Sequence, residues 1–292
     1  MKLHFDPNQQ FQLDAINSVV GIFEGQPLNH GDFDFSITQE SYLFNEGGIG
    51  NRLTLGEEQI LENIKSIQEK NELAVSGNLD GMNFSVEMET GTGKTYVYLR
   101  TIYELNKKYR FKKFVIVVPS VAIREGVLKN LEITFEHFQN LYDKTPVNFA
   151  VYDSRRVSNL RNFAINNNIQ ILVINIDSFA KDENVINKPN DKLTGKRPIE
   201  FIQATCPIVI VDEPQNMETE LRKNAIDNLN PLCTLRYSAT HINRYNMVYS
   251  LDPVKAYDLG LVKQIEVDSI VTENDFNEAF ICLEKVTAAK TR

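Results

Sequence analysis

Six consecutive residues, Thr90-Gly91-Thr92-Gly93-Lys94-Thr95, place two glycines, a lysine and three hydroxyls between two apolar runs. Glycines let backbone N–H groups curl around a phosphate without side-chain clashes. A helix that begins at the lysine adds free amides and the positive end of its dipole. In such a loop Lys94 would reach the β- and γ-phosphates of a nucleotide, and the Thr95 hydroxyl would ligate Mg²⁺. The strict G-x-x-x-x-G-K-[ST] spacing is not met, because Met88 occupies the first glycine position. A glycine turn carrying a solvated lysine is the plainer alternative. The flanks favour the phosphate reading. "FSVEM" reads as a strand before the turn, and "KTYVYLRTIYELNKK" as a helix after it, with Leu99, Ile102 and Leu105 or Tyr103 inward.

A phosphate loop needs an acidic partner to hold the metal shell and orient a water. "CPIVIVDEPQNM" supplies one, since an apolar strand there runs into Asp212-Glu213. At the carboxyl edge of a parallel sheet both carboxylates would lie where ligands bind. Asp212 would sit near the metal, and Glu213 would take a proton from the hydrolytic water. An isolated Asp-Glu pair is more often an exposed helix cap, so its place after a buried strand carries the weight. Ser238-Ala239-Thr240 ends a further short strand, "TLRYSAT", where small hydroxyl residues can hydrogen-bond neighbouring loops and report loss of the γ-phosphate.

These groups require a sheet to position them. Besides "FSVEM" and "TLRYSAT", the runs "KFVIVVP", "NFAVYD", "QILVINI" and "PIVIVDE" read as strands, several apolar at consecutive positions as if buried on both faces. Most are separated by enough chain for a crossover helix, which predicts an α/β fold with a mostly parallel sheet flanked by helices. Two helices precede it. One has Asp6 as its cap, Pro7 in its first turn and Ile16, Val19, Val20 and Phe23 inward; the other has Thr54 and Glu57 as a capping box. Residues 25–53 read as loop, and 181–200 as an exposed polar excursion.

A net charge of −8 argues against a dedicated nucleic-acid module, though not against backbone contacts from local cations and main-chain amides. Cys206, Cys233 and Cys282 are odd in number and lack metal-ligand spacing, so they read as reduced thiols of a cytoplasmic protein. The N-terminus is too polar for a signal peptide, and no apolar run reaches membrane-spanning length.

The three motifs in this order resemble the first RecA-like motor domain of superfamily 2 helicases, in which the loop often reads x-x-T-G-x-G-K-T. The stretches "METGTGKTYVYLRTIYEL", "VPSVAIREGV", "DEPQ" and "SATHINRYNMVYSLDPVKAYDLGLVKQIEV" are more specific, and resemble the Res subunit of Type III restriction enzymes from about residue 3 to about residue 268. The resemblance implies a RecA-like P-loop NTPase domain over residues 84–240, preceded by a helical segment over 1–83 and followed by an exit segment over 241–292. It implies ATP and Mg²⁺ as cofactors, held by Thr90 to Thr95 with Asp212. Lys94, Asp212 and Glu213 would be catalytic, and Gln12 would read adenine unless it is simply a solvated helix residue. By the same resemblance Pro119, Ser120 and Arg124, then Asn175, Asp177 and Ser178, would contact double-stranded DNA. Gln215, Ser238 and Thr240 would couple the site to neighbouring loops. A DNA methyltransferase (Mod) subunit would be the partner of the full-length protein. No second set of motor motifs, arginine finger or nuclease constellation is visible, so the sequence reads as a piece of a longer, ATP-dependent DNA-translocating endonuclease subunit. Two alternatives stay open: a superfamily 2 helicase unrelated to restriction, and a weakly active nucleotide-binding half-motor.

Overall fold

Consecutive apolar residues send alternate side chains to opposite faces of a strand. β2 (Lys113–Val118) is buried throughout. Its Phe114, Ile116 and Val118 join one apolar cluster, and Val115 and Val117 another. β5 (Ile208–Asp212) divides the same way, Ile208 and Ile210 against Val209 and Val211. The computed structural model, which describes residues 5–28 and 49–262, accordingly has a sheet covered on both faces.

The sheet also contains β1 (Asn83–Met88), β3 (Val147–Val151), β4 (Ile169–Asn175), β6 (Cys233–Ser238) and β7 (Tyr249–Leu251), in the order β3-β4-β2-β5-β6-β1-β7. Every strand pair is parallel. All six expected strands form. β7 is additional, a three-residue edge strand too short to announce itself by periodicity. β3, at the other edge, alternates half-buried and exposed positions, as a strand with one free side should.

On one face pack α1 (Gln10–Gly21), α2 (Glu57–Lys70), α3 (Lys94–Tyr109) and α4 (Val121–Leu141); on the other pack α5 (Asn159–Ile165), α6 (Pro198–Gln203) and α7 (Glu220–Asp227). α8 (Pro253–Asp258) follows β7. α3 is the central helix. Leu99, Ile102, Tyr103 and Leu105 are all buried, so both candidates for its inward position point to the core. The described residues form one compact unit.

Two expected helix starts are corrected. α1 begins at Gln10, not Pro7, because Asp6 caps a turn before it, accepting from the Asn8 amide (2.9 Å) and the Gln9 amide side chain (3.0 Å). The Thr54–Glu57 capping box does not form. Gly56 is the N-cap of α2, while Thr54 N and Oγ1 both donate to Gln26 Oε1 at 2.9 and 3.1 Å. A long-range partner has replaced the local one. The polar excursion at 181–200 is mostly exposed, yet Ile186 and Leu193 anchor two 3₁₀ turns in the core. Most of the expected 25–53 loop, all of residues 263–292 and Cys282 lie outside the described residues. Cys206 and Cys233 are free thiols. No helix among the described residues is long and apolar enough to cross a membrane.

Candidate nucleotide site at the carboxyl edge of the sheet

Met88 ends β1 with its side chain fully buried, and its carbonyl accepts a hydrogen bond from Lys94 Nζ at 3.3 Å. The position therefore serves the core through its side chain and the loop through its backbone, which is how a methionine stands where a glycine was expected. Beyond it Gly91 and Gly93 take φ of +84° and +92°, the left-handed region that favours glycine. Thr92 Oγ1 donates to the Glu89 carbonyl at 2.6 Å, closing the turn, and the Thr90 amide donates to the Glu89 carboxylate at 2.7 Å. Gln12 reaches across from α1 and its Nε2 donates to the Thr92 carbonyl at 3.1 Å. A cavity of about 450 Å³ opens over this loop, lined by Gln12, Gly91, Gly93, Lys94 and Thr95, with Phe5 at one side.

The carboxylates arrive from β5. Asp212 is its last residue and is 5% exposed. The Tyr98 hydroxyl, on α3, donates to Asp212 Oδ2 at 3.2 Å. Burial, and then the charge of Glu213, push the Asp212 carboxyl up to about 6. Glu213 has a φ of +56°, a strained conformation for a side-chain-bearing residue, held by its amide donating to the Tyr237 carbonyl at 3.0 Å. Glu213 Oε1 stands 3.6 Å from Lys94 Nζ. Gln215 Nε2 donates to Glu213 Oε2 at 2.6 Å, and Gln215 Oε1 accepts from Ser238 Oγ at 2.7 Å. The Thr240 amide donates to the same hydroxyl at 3.0 Å. One connected path thus runs from Lys94 through Glu213, Gln215 and Ser238 to Thr240, and Gln215, whose chemistry was opaque in the sequence, is its bridge.

The donor set fits a magnesium nucleotide. Two adjacent carboxylates, one of them raised by its burial and by the charge of the other, stand at the same sheet edge as the glycine loop and Thr95. Among the described residues no group of three or more His, Cys, Asp or Glu could hold a metal unaided. Mg²⁺ characteristically takes one or two carboxylates and completes its shell with phosphate and water.

The expected DNA-contact residues lie at the carboxyl ends of β2 and β4. Arg124, Asp177 and Ser178 line one cavity of about 870 Å³. Ser120 Oγ caps α4, accepting from Ile123 N at 3.3 Å, and follows Pro119 at the end of β2. Asn175 Oδ1 accepts from the Asp177 amide at 2.9 Å, and Asp177 pairs with Arg222 at 3.0 Å. Sequence reasoning missed Tyr98, although it lies three residues after Thr95 on a helix and so on a neighbouring face. It also missed Phe5, for which no local pattern existed.

A parallel sheet in which β6 separates the loop strand from the acidic strand, with this constellation at its carboxyl edge, defines a RecA-like P-loop NTPase domain. A family profile described as "Type III restriction enzyme, res subunit" matches residues 53–243. The chain is 30% identical over 285 residues to the EcoPI Res subunit of Escherichia phage P1, covering 89% of this chain and 28% of that protein. It is 32% identical over 237 residues to the EcoP15I Res subunit of Escherichia coli, covering 73% and 24%. A nuclease-deletion mutant of the Type ISP restriction-modification enzyme LlaGI, solved with a DNA substrate mimic, is a distant structural likeness: TM-score 0.41, 14% identity, 71% of this chain and 21% of that one. The chain belongs to the Type III restriction enzyme Res subunit family, as a Res-like motor domain. It spans about a quarter of the length of the curated relatives it matches.

Proposed function

We propose that this chain is the ATP-binding motor lobe of a DNA-translocating restriction subunit, with Mg²⁺ accompanying the nucleotide. The observation that carries the reading is the linked set Lys94–Glu213–Gln215–Ser238 at one sheet edge. In this reading the amides around Gly91 and Gly93, with the N-terminus of α3, cradle the phosphates. Lys94 exchanges its pairing with Glu213 for the β- and γ-phosphates, which frees Glu213 to orient the attacking water and take its proton. When bound, the metal spreads the charge that develops on the β- and γ-oxygens; Thr95 and Asp212 are the residues that would hold it. Thr90 and Thr92 shape the turn. Gln12 stands at the loop, where its amide can pair with the N6 and N7 edge of adenine. Gln215, Ser238 and Thr240 pass a change at Glu213 to the segment after β6.

The DNA-facing residues are Pro119, Ser120, Arg124, Asn175, Asp177 and Ser178, acting on the backbone of double-stranded DNA. The methyltransferase (Mod) subunit is the expected partner in the full-length protein, and the cytoplasm its compartment. Titrating a fluorescent ATP analogue with Mg²⁺ tests the reading. Lys94→Ala is expected to weaken binding about tenfold or more, since a charged hydrogen bond is worth ~1.5–3 kcal/mol. Equal affinity of the two proteins would overturn the nucleotide reading.

A further inference from the structure

The Tyr98 side chain crosses a gap that the sheet imposes. β6 stands between the loop strand β1 and the acidic strand β5, so the two halves of the site begin two strand spacings apart, ~10 Å. Side chains alternate along each strand. Ile208 and Ile210 of β5 lie in the same apolar cluster as Leu99 and Ile102 of α3, which puts Asp212 on the α3 face as well. Tyr237 of β6 lies in that cluster too and is in register with Asp212. The Tyr98 ring, fully buried, rests edge-on against Tyr237, with centroids 5.5 Å apart at 61°. Its hydroxyl thereby passes over β6 and donates to Asp212 Oδ2 at 3.2 Å.

The donor is a fixed one. Burial, and then the charge of Asp212, hold the Tyr98 hydroxyl well above its ordinary value, so it keeps its proton. The Thr95 side chain, three residues back on α3, is a second neighbour of the same phenol oxygen. One phenol thus joins the two residues assigned above to the metal. It is also neutral. A lysine or arginine in its place would hold the carboxylate but would bring a charge that repels a cation. A carboxylate has two oxygens and about four lone-pair sites, so a single donor on Oδ2 leaves acceptor capacity for a metal shell.

We propose that Tyr98 is a positioning residue, whose hydroxyl fixes the Asp212 carboxylate in the orientation that receives a hydrated divalent cation. The inference rests on the nucleotide reading above and deepens it, by naming the group that determines how Asp212 meets the cation. A side chain that must be ordered on binding loses rotamer freedom at that moment, and one already held loses less. The hydroxyl therefore lowers the Mg²⁺ concentration that the site requires. It adds nothing to the hold on the nucleotide itself, because Tyr98 is not among the residues lining the cavity over the glycine loop.

Titrating Mg²⁺ against a fixed concentration of the fluorescent ATP analogue tests it. Tyr98→Phe keeps the ring against Tyr237, and with it the fold, and removes only the hydroxyl. The Mg²⁺ midpoint is expected to rise roughly three- to tenfold, the worth of one hydrogen bond, while binding in EDTA stays within about twofold. In an Asp212→Asn background the same change should add nothing further, because the carboxylate that the hydroxyl orients is gone. An unchanged Mg²⁺ midpoint in Tyr98→Phe, while the intact chain binds in a Mg²⁺-dependent way, would overturn the inference and leave the nucleotide reading standing. So would an equal rise in both backgrounds, or an equal loss with Mg²⁺ and with EDTA, since either would make Tyr98 a packing residue only. Binding by the intact chain that ignores Mg²⁺ would overturn the inference but not the Lys94 test. No binding by the intact chain would overturn both.

Discussion

Asp212 shows how burial can strain a carboxylate at a sheet edge. Burial, and the neighbouring Glu213, push its carboxyl from the ordinary value of 3.8 up to about 6. The folded chain then holds this proton more tightly than the unfolded chain between about pH 4 and pH 6. Below that window the group is neutral in both states and costs nothing. Stability falls as pH rises through the window, and the penalty is complete above it, roughly 2–3 kcal/mol at 1.36 kcal/mol per unit. In metal-free buffer, denaturant midpoints should therefore fall from pH 4 to pH 7 more steeply for the natural chain than for Asp212→Asn. Parallel curves would mean that Tyr98 and Lys94 already compensate the charge. Lys94 answers part of it, 3.6 Å from Glu213, but a single ammonium is shared among two carboxylates and a carbonyl.

Among the elements, the turn between β1 and α3 is where the geometry is least forgiving. Gly93 has a φ of +92°, and a Cβ there would lie 2.7 Å from Gln12 Nε2. Gly93→Ala thus meets two obstacles at once: a left-handed backbone that costs ~1–2 kcal/mol for a side-chain-bearing residue, and displacement of the amide that braces the loop. The variant should lose about 1–2 kcal/mol of stability, read as a lower thermal midpoint, together with binding of the fluorescent ATP analogue. Gly91 differs. Its φ is +84°, but nothing lies within 4 Å of its Cβ position, so only the backbone term applies there. The helices divide similarly into what neighbours in sequence decide and what they do not. α3 announces itself by its apolar spacing. The start of α2 does not, since Gln26 takes Thr54 out of its local capping role.

For the whole molecule, charge supply sets the expected rate. Among the described residues lining the cavity over the glycine loop, Lys94 is the one cationic side chain. A motor that stabilises the transferring phosphate with one further arginine gains ~10³-fold or more. Phosphate release by this chain should therefore be at least that much slower than by a full-length member of the family, with or without DNA; brisk DNA-stimulated turnover by this chain alone would contradict it. Six strands, the central helix, the glycine turn before it and the acidic end of β5 were legible in the sequence because each is local. A buried strand is a run of apolar residues, a phosphate loop is a run of glycines before a helix, and neither needs a distant partner to be recognised. Only the tertiary structure decided what those residues touch. It made Gln215 a bridge between Glu213 and Ser238, set Tyr98 on Asp212, seated Met88 with its side chain in the core, and brought the loop after β3 beside those after β4 and β2. The physical reason is strand order. Parallel pairing joins segments far apart in the chain, and which carboxyl-end loops become neighbours follows from the order β3-β4-β2-β5-β6-β1-β7, which no local pattern of residues encodes.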